Sequence, residues 1–159
     1  DTKPLVGHLA AWNYFQSVET DENAAFIAKW KTFIGDEKRV TNDPMEATYI
    51  GFNMWAQAVT AAKTTNVDAV EQAMLGQTTP NLTGGIAKMN NNHHLSKPVL
   101  IGEIQDDGQL EVVWSTDSVV PGDAWSDFLS GSKDLIADWS SKTQCGNYNT
   151  VTKVCSGQK

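Results

Sequence analysis

Two cysteines, three histidines, and twelve basic residues against nineteen acidic ones are what this 159-residue chain has little of, and each scarcity removes a class of function. A net charge of −7 leaves no basic patch. A nucleic-acid partner, whose binding draws on clustered Lys and Arg, is therefore not expected. The longest apolar runs lie near 97–104 and 110–114 and fall well short of the roughly 20 residues that span a bilayer. His93 and His94 are adjacent, and neighbours on regular backbone point apart, so they do not make a chelating pair. There is no G-x-S-x-G elbow, no Gly-x-Gly-x-x-Gly and no Walker lysine. Acyl transfer and phosphate or dinucleotide cradling have no support, and no cofactor is expected. No internal repeat points to a solenoid.

The start, Asp1-Thr2-Lys3-Pro4, carries neither an initiator methionine nor a signal peptide, which fits a chain processed or cut from something longer. Cys145 and Cys155 enclose nine residues of a turn-rich tail. Two and only two cysteines so placed favour a disulfide in an oxidising compartment over free thiols, contributing about 2–3 kcal/mol in the chain-entropy account. No further Cys or His lies nearby to complete a metal site.

What is present is helical periodicity. The stretch from Asn42 to Thr64 is the longest segment of unbroken helical period and opens with start signals. Asp43 is placed to cap it, Pro44 suits the first turn, and Glu46 completes a capping-box spacing with Asp43. Met45, Tyr49, Phe52, Ala56 and Val59 form one apolar face, and Ile50, Met54, Ala58 and Ala61 a second. That pattern predicts a core helix between a sheet and other helices. A helix opened by Thr20 carries the stripe Phe26, Ile27, Trp30, Phe33 and Ile34 and stops at Gly35. A shorter one, 67–75, turns Val67, Val70 and Met74 inward behind Asn66 or Asp68.

Leu5 to Phe15 reads as a buried strand running into a loop, with His8 a core residue. The texture changes at Thr78: TTPNLTGG is turn-rich, Ile86 to Met89 is a short strand, and NNNHH is a loop. Pro98 to Ile104 and Gln109 to Trp114 flank Asp107-Gly108 and predict a hairpin whose second arm shares Leu110, Val112 and Trp114 on one face. Leu135 to Trp139 suits a helical turn or two, and the residues from Ser140 a surface tail. Asn81-Leu82-Thr83 is a short match to the N-glycosylation pattern. With one strand before three helices, the sheet calls for strands supplied from outside this stretch or from another chain. Open sheet edges and apolar helix faces would then favour homodimerisation.

Trp12, Asn13 and Tyr14 follow the first strand. If that strand is parallel they occupy its carboxyl end, where open α/β sheets bind ligands, and would line a cleft with an aromatic wall and an amide. The other reading is that Trp12 and Tyr14 pack beneath the next helix.

The segments GHLAAWNYFQSVETDENAAFIAKWKTF, RVTNDPMEATYIGFNMWAQAV, PNLTGG, NNHHLSKPVLIGEIQDDGQLEVVW, PGDAWSDFL and CGNYNTVTKVCSGQ resemble the C-terminal part of urea ABC transporter substrate-binding proteins. These belong to the branched-chain amino-acid and amide-binding group of periplasmic binding proteins. The resemblance implies an α/β fold of periplasmic binding protein type I, with Rossmann-like lobes, present here as an incomplete C-terminal portion with a terminal β-hairpin. Residues 1–77 would be part of the C-terminal lobe, 78–115 a crossover connector and hairpin, and 116–159 a tail. It further implies a non-enzymatic solute-binding component of an importer, periplasmic or lipid-anchored in a Gram-positive host. Its partners would be urea or a short-chain amide, a membrane permease, and the N-terminal part of the same protein. No ligand contact carries over through a matched motif, so Trp12, Asn13 and Tyr14 stand on position alone. An amide-sensing regulator of the same fold and a branched-chain amino-acid binder are the alternatives, and nothing in the sequence recommends an amidohydrolase.

Overall fold

The computed structural model describes residues 2–125, 128–136, 147–149 and 151–156. Two compact units divide the chain, Asp1–Gly122 and Asp123–Lys159.

The first unit begins with a 3-10 turn at Lys3–Leu5, then strand β1 (Leu9–Trp12) and helices α1 (Asp21–Ile34), α2 (Asp43–Ala62) and α3 (Val67–Met74). Strands β2 (Thr78–Pro80), β3 (Ile86–Met89), β4 (Leu95–Ser96), β5 (Leu100–Ile104) and β6 (Leu110–Ser115) follow. They form two three-stranded sheets, ordered β1-β5-β6 and β2-β3-β4, antiparallel throughout. The expected buried strand at Leu5–Phe15 is shorter and mostly exposed, and His8 is exposed as well. The apolar run had two jobs: only Tyr14 and Phe15, beyond the strand, enter the core.

All three helices start where a side-chain oxygen can take up an orphan amide. Thr20 accepts from the Asn23 amide at 3.1 Å, Asn42 from Met45 at 3.1 Å and Asn66 from Ala69 at 3.1 Å. At α2 the cap is thus Asn42 and not Asp43, which moves Pro44 one position inward and frees Glu46 from any capping box. α1 ends at Gly35 in the left-handed conformation, its amide on the Lys31 carbonyl at 2.9 Å, as glycine at that position allows.

Of the two apolar faces of α2, the one carrying Ile50, Met54 and Ala58 is the buried one. Ile50 and Met54 pack on Ala87 and Met89 of β3, with Met74 and Leu95 at the margin. The other face is only partly covered, and Phe52 stands exposed beside Trp55, ring centroids 5.7 Å apart. A second cluster joins Tyr14, Phe26 and Leu82, flanked by Ile27 and Tyr49. The α1 stripe is therefore core at Phe26 but not at its far end, where Phe33 is 82% exposed. Likewise Val70 of α3 is buried while Val67 is exposed.

The hairpin forms on its Asp-Gly signal: Gly108 takes φ +80° and its amide donates to the Gln105 carbonyl at 2.9 Å. A register shift between Ile101 and Gly102 sets Val112 opposite Gly102 but Trp114 opposite Ile101. A bulge inserts one residue, and one residue reverses the side-chain alternation. Trp114 thereby leaves the face of Leu110 and Val112. Asn81 is fully buried, its amide donating to Thr83 Oγ1 at 2.6 Å, so the glycosylation-like tripeptide is the inner support of a turn.

In the second unit a 3-10 turn at Ser132–Asp134 leads to β7 (Leu135–Ile136), paired antiparallel with β8 (Asn147–Asn149), which pairs with β9 (Cys155–Ser156). A strand stands where helical turns were expected from Leu135, and the tail contains sheet. Trp139 and Cys145 lie outside the described residues.

Candidate functional site

The carboxyl end of β1 meets the amino end of α2 and the short connector from β4 to β5. Polar side chains from all three segments gather there. Tyr14 is 1% exposed; its hydroxyl donates to Asn23 Oδ1 at 2.8 Å and lies 2.7 Å from Thr41 Oγ1. Burial raises the Tyr14 phenol above its ordinary value, against the hydrogen bond from Thr41, with the Glu46 charge adding to the rise. Asn23 in turn donates to the Gln16 and Val18 carbonyls at 3.0 and 2.7 Å, which fixes the loop leaving the strand.

Asn13 donates from its amide to the Pro98 carbonyl at 2.7 Å. Beside Pro98, Lys97 Nζ donates to Glu46 Oε2. This ion pair is buried, Glu46 at 0% and Lys97 at 8% exposure. Burial raises the Glu46 carboxyl despite the hydrogen bond and charge of Lys97, and the nearby Asp43 charge raises it further. Asp43 is raised for the same first reason, burial, while Lys97 and hydrogen bonds from the Trp12 side chain and Asn13 backbone hold it down. Glu46 Oε1 and Asp43 Oδ1 are buried atoms with no hydrogen-bond partner among the described residues.

Of the three residues singled out from sequence, Trp12 is half exposed, Asn13 is partly buried and tied to the connector, and Tyr14 sits inside the core. The structure brings them together but splits their roles: the packing reading holds for Tyr14, and Trp12 faces solvent. Their strand is antiparallel to its neighbour β5, so a parallel-sheet rule does not place them. Sequence reasoning missed Asp43, Glu46 and Lys97. Two looked like helix-start residues, and the third lies 51 residues away, beyond the reach of any periodicity.

A cleft of about 890 Å³ opens nearby, lined among others by Ser17, Thr20, Thr83, Gln105, Thr116 and Pro98. Its walls are the turn-rich 83–85 segment, the loop before α1 and the β5–β6 hairpin. Pro98 is common to this cleft and to the Asn13 contact. Among the described residues no group of three or more His, Cys, Asp or Glu converges to hold a metal ion, and no helix is long and apolar enough to cross a membrane.

Residues 1–131 match the family described as periplasmic binding protein domain. A solute binding protein of an ABC transporter from Rhodopseudomonas palustris HaA2, solved with p-hydroxybenzoic acid, is similar with a TM-score of 0.63 and 21% identity. The similarity covers 73% of this chain and 32% of that one. A leucine binding protein from Thermotoga maritima gives a TM-score of 0.57 and 13% identity over 70% of this chain and 31% of its own. A protein named limonene hydroxylase from Geobacillus stearothermophilus is 32% identical over 120 residues, 76% of this chain but 22% of that protein. The chain thus spans about a third of the solved relatives and about a fifth of the curated one.

Proposed function

Given that the chain belongs to the periplasmic binding protein domain family and has the type I fold of its ABC-transporter relatives, we propose that its whole protein is the extracytoplasmic solute-binding component of an ABC importer, binding urea or a short-chain amide. The observation that carries the ligand class is the charge balance at the β1–α2 junction. Asp43 and Glu46 face one ammonium, Lys97, which Glu46 already engages. A carboxylate ligand would meet net repulsion there. A neutral ligand rich in N–H donors suits an acceptor-rich wall, with Trp12 as its flat apolar side. Discrimination by polar groups that only the right ligand satisfies exceeds what apolar fit provides.

The protein would release its ligand to a membrane permease and turn nothing over. The name limonene hydroxylase attaches to a protein of which this stretch matches a fifth, and no catalytic constellation among the described residues favours that chemistry.

The test is a tryptophan-fluorescence titration of the full-length protein with urea, acetamide, leucine and benzoate, all far below denaturing concentrations. Saturation by urea or acetamide with the other two silent is the expected result. Saturation by leucine or benzoate instead would sink the ligand assignment. Release of ammonia from urea or acetamide would overturn the non-enzymatic reading.

A further inference from the structure

We propose that Lys97 and Glu46 are positioning residues of the ligand site: their buried pair, with the adjoining Pro98 carbonyl, sets how Trp12 and Asn13 are presented. This rests on the reading that the ligand meets Trp12 and Asn13.

A buried ion pair is weak evidence for stability, because desolvating both ions offsets most of their attraction and apolar replacements of similar volume are often neutral or better. What distinguishes this pair is where it lies. Lys97 opens the connector 97–99 that joins the two sheets of the first unit, directly after β4. Its backbone is held at both atoms by Val120, amide to carbonyl at 3.2 Å and carbonyl to amide at 2.8 Å, so its side chain starts from a fixed point. The ammonium reaches the first turn of α2 at Glu46, while the next residue, Pro98, takes the Asn13 amide. Asp43, one turn before Glu46, lies against the Trp12 side chain and the Asn13 backbone. Two consecutive connector residues therefore hold the first turn of α2 through Glu46 and Asn13 through Pro98, and Trp12 directly precedes Asn13. These contacts bridge 51 and 85 residues of sequence.

Lys97 is also the charge that separates two carboxylates. Without it Asp43 and Glu46 repel at close range in a low-dielectric setting, and the helix start moves relative to the end of β1. A misplaced donor or wall weakens binding even where no contact to the ligand has been removed.

The experiment uses the full-length protein with urea and acetamide as probes. It compares Lys97→Met, Lys97→Arg and Asp43→Asn with Trp12→Ala and Asn13→Ala. Dissociation constants come from calorimetry, folding from far-ultraviolet circular dichroism, and the local readout is the emission of Trp12, isolated by difference against Trp12→Phe in each background. Lys97→Met is expected to weaken binding roughly tenfold or more and to shift the Trp12 emission, with Lys97→Arg restoring most of both. If Lys97→Met does not fold, Asp43→Asn, which keeps the buried pair, is expected to weaken binding several-fold with the same spectral shift. Loss of binding in Trp12→Ala or Asn13→Ala, together with unchanged binding and emission in folded Lys97→Met or Asp43→Asn, overturns the inference alone. Unchanged binding in both Trp12→Ala and Asn13→Ala overturns the site and the inference together.

Discussion

The two sheets of the first unit have the same strand number and the same antiparallel pairing, yet they leave different apolar side chains exposed. In the β2-β3-β4 sheet Thr79, Ala87, Met89 and Ser96 are buried, with α2 laid across Ala87 and Met89. In the β1-β5-β6 sheet Leu9 is 63% and Trp114 51% exposed, and by register Leu9, Ala11, Ile101 and Trp114 share one face. Each sheet has apolar cover on one face, the smaller from α2 over Ala87 and Met89 and the larger from Phe15 against Gly102. They differ in the open face, which exposes Ile86 beside Lys88 in the smaller sheet and Leu9 with Trp114 in the larger. The Lys97–Pro98 step, where one sheet passes into the other, is where the polar cluster lies.

The largest expected effect is on that junction. Removing one partner of the buried pair by Lys97→Met strands Glu46 and should cost about 3–5 kcal/mol, read by guanidinium unfolding, since urea is the candidate ligand. A loss below about 1 kcal/mol would mean that the pair does not tie the connector to α2 in the way described. Next comes the covered sheet. Met54→Ala should cost about 2–5 kcal/mol through lost burial and a residual cavity, whereas Trp114→Ser on the open face should stay within about 0.5 kcal/mol. Equal losses at the two positions would erase the contrast between the sheets.

A smaller effect follows from pH. Asp43 and Glu46 titrate above their ordinary 3.8 and 4.5, burial being the first cause in both. The folded state therefore holds protons that the unfolded state has released, and unfolding free energy falls as pH rises from those ordinary values through the raised ones. Asp43→Asn should flatten that slope, and an unaltered pH profile would refute it. Self-association offers a further check. The open face predicts a homodimer of this 159-residue chain by light scattering, which Leu9→Ser and Trp114→Ser together should weaken; a monodisperse monomer would count against it. A separate effect belongs to the second unit, where a Cys145–Cys155 bridge should contribute about 2–3 kcal/mol and block alkylation of the unreduced protein. Uptake of two alkyl groups would show free thiols.

Helix positions and the Asp-Gly hairpin were legible because each is written in local spacing, and the chain's family through the resemblance of whole segments such as RVTNDPMEATYIGFNMWAQAV and PNLTGG. Thr20, Gly35, Asn66 and Gly108 act within a few residues of themselves. Misreadings came where two local options were nearly equal and a distant contact chose between them. Asn42 and Asp43 can both cap a helix, and Asp43 instead turns toward Trp12 and Asn13. Leu110, Val112 and Trp114 alternate in sequence, but the bulge facing Ile101 and Gly102 separates the third from the first two. The candidate site was half legible: Trp12 and Asn13 through their place after an apolar run, but none of the charges that hold them.

The sequence by itself determined the helices, their stops, the Asp-Gly turn and the Ile50-Met54-Ala58 face as one of two candidates, since these depend on contacts within about one or two helical turns, while membership in a binding-protein family came through the resemblance of whole segments. Only the tertiary structure decided which face of α2 was buried, that the first strand runs antiparallel to β5, and that Lys97 is the partner of Glu46. The reason is physical: burial and ion pairing depend on which surfaces meet after residues distant in sequence, such as Ile50 and Ala87 or Glu46 and Lys97, are brought together, and no local periodicity encodes that meeting.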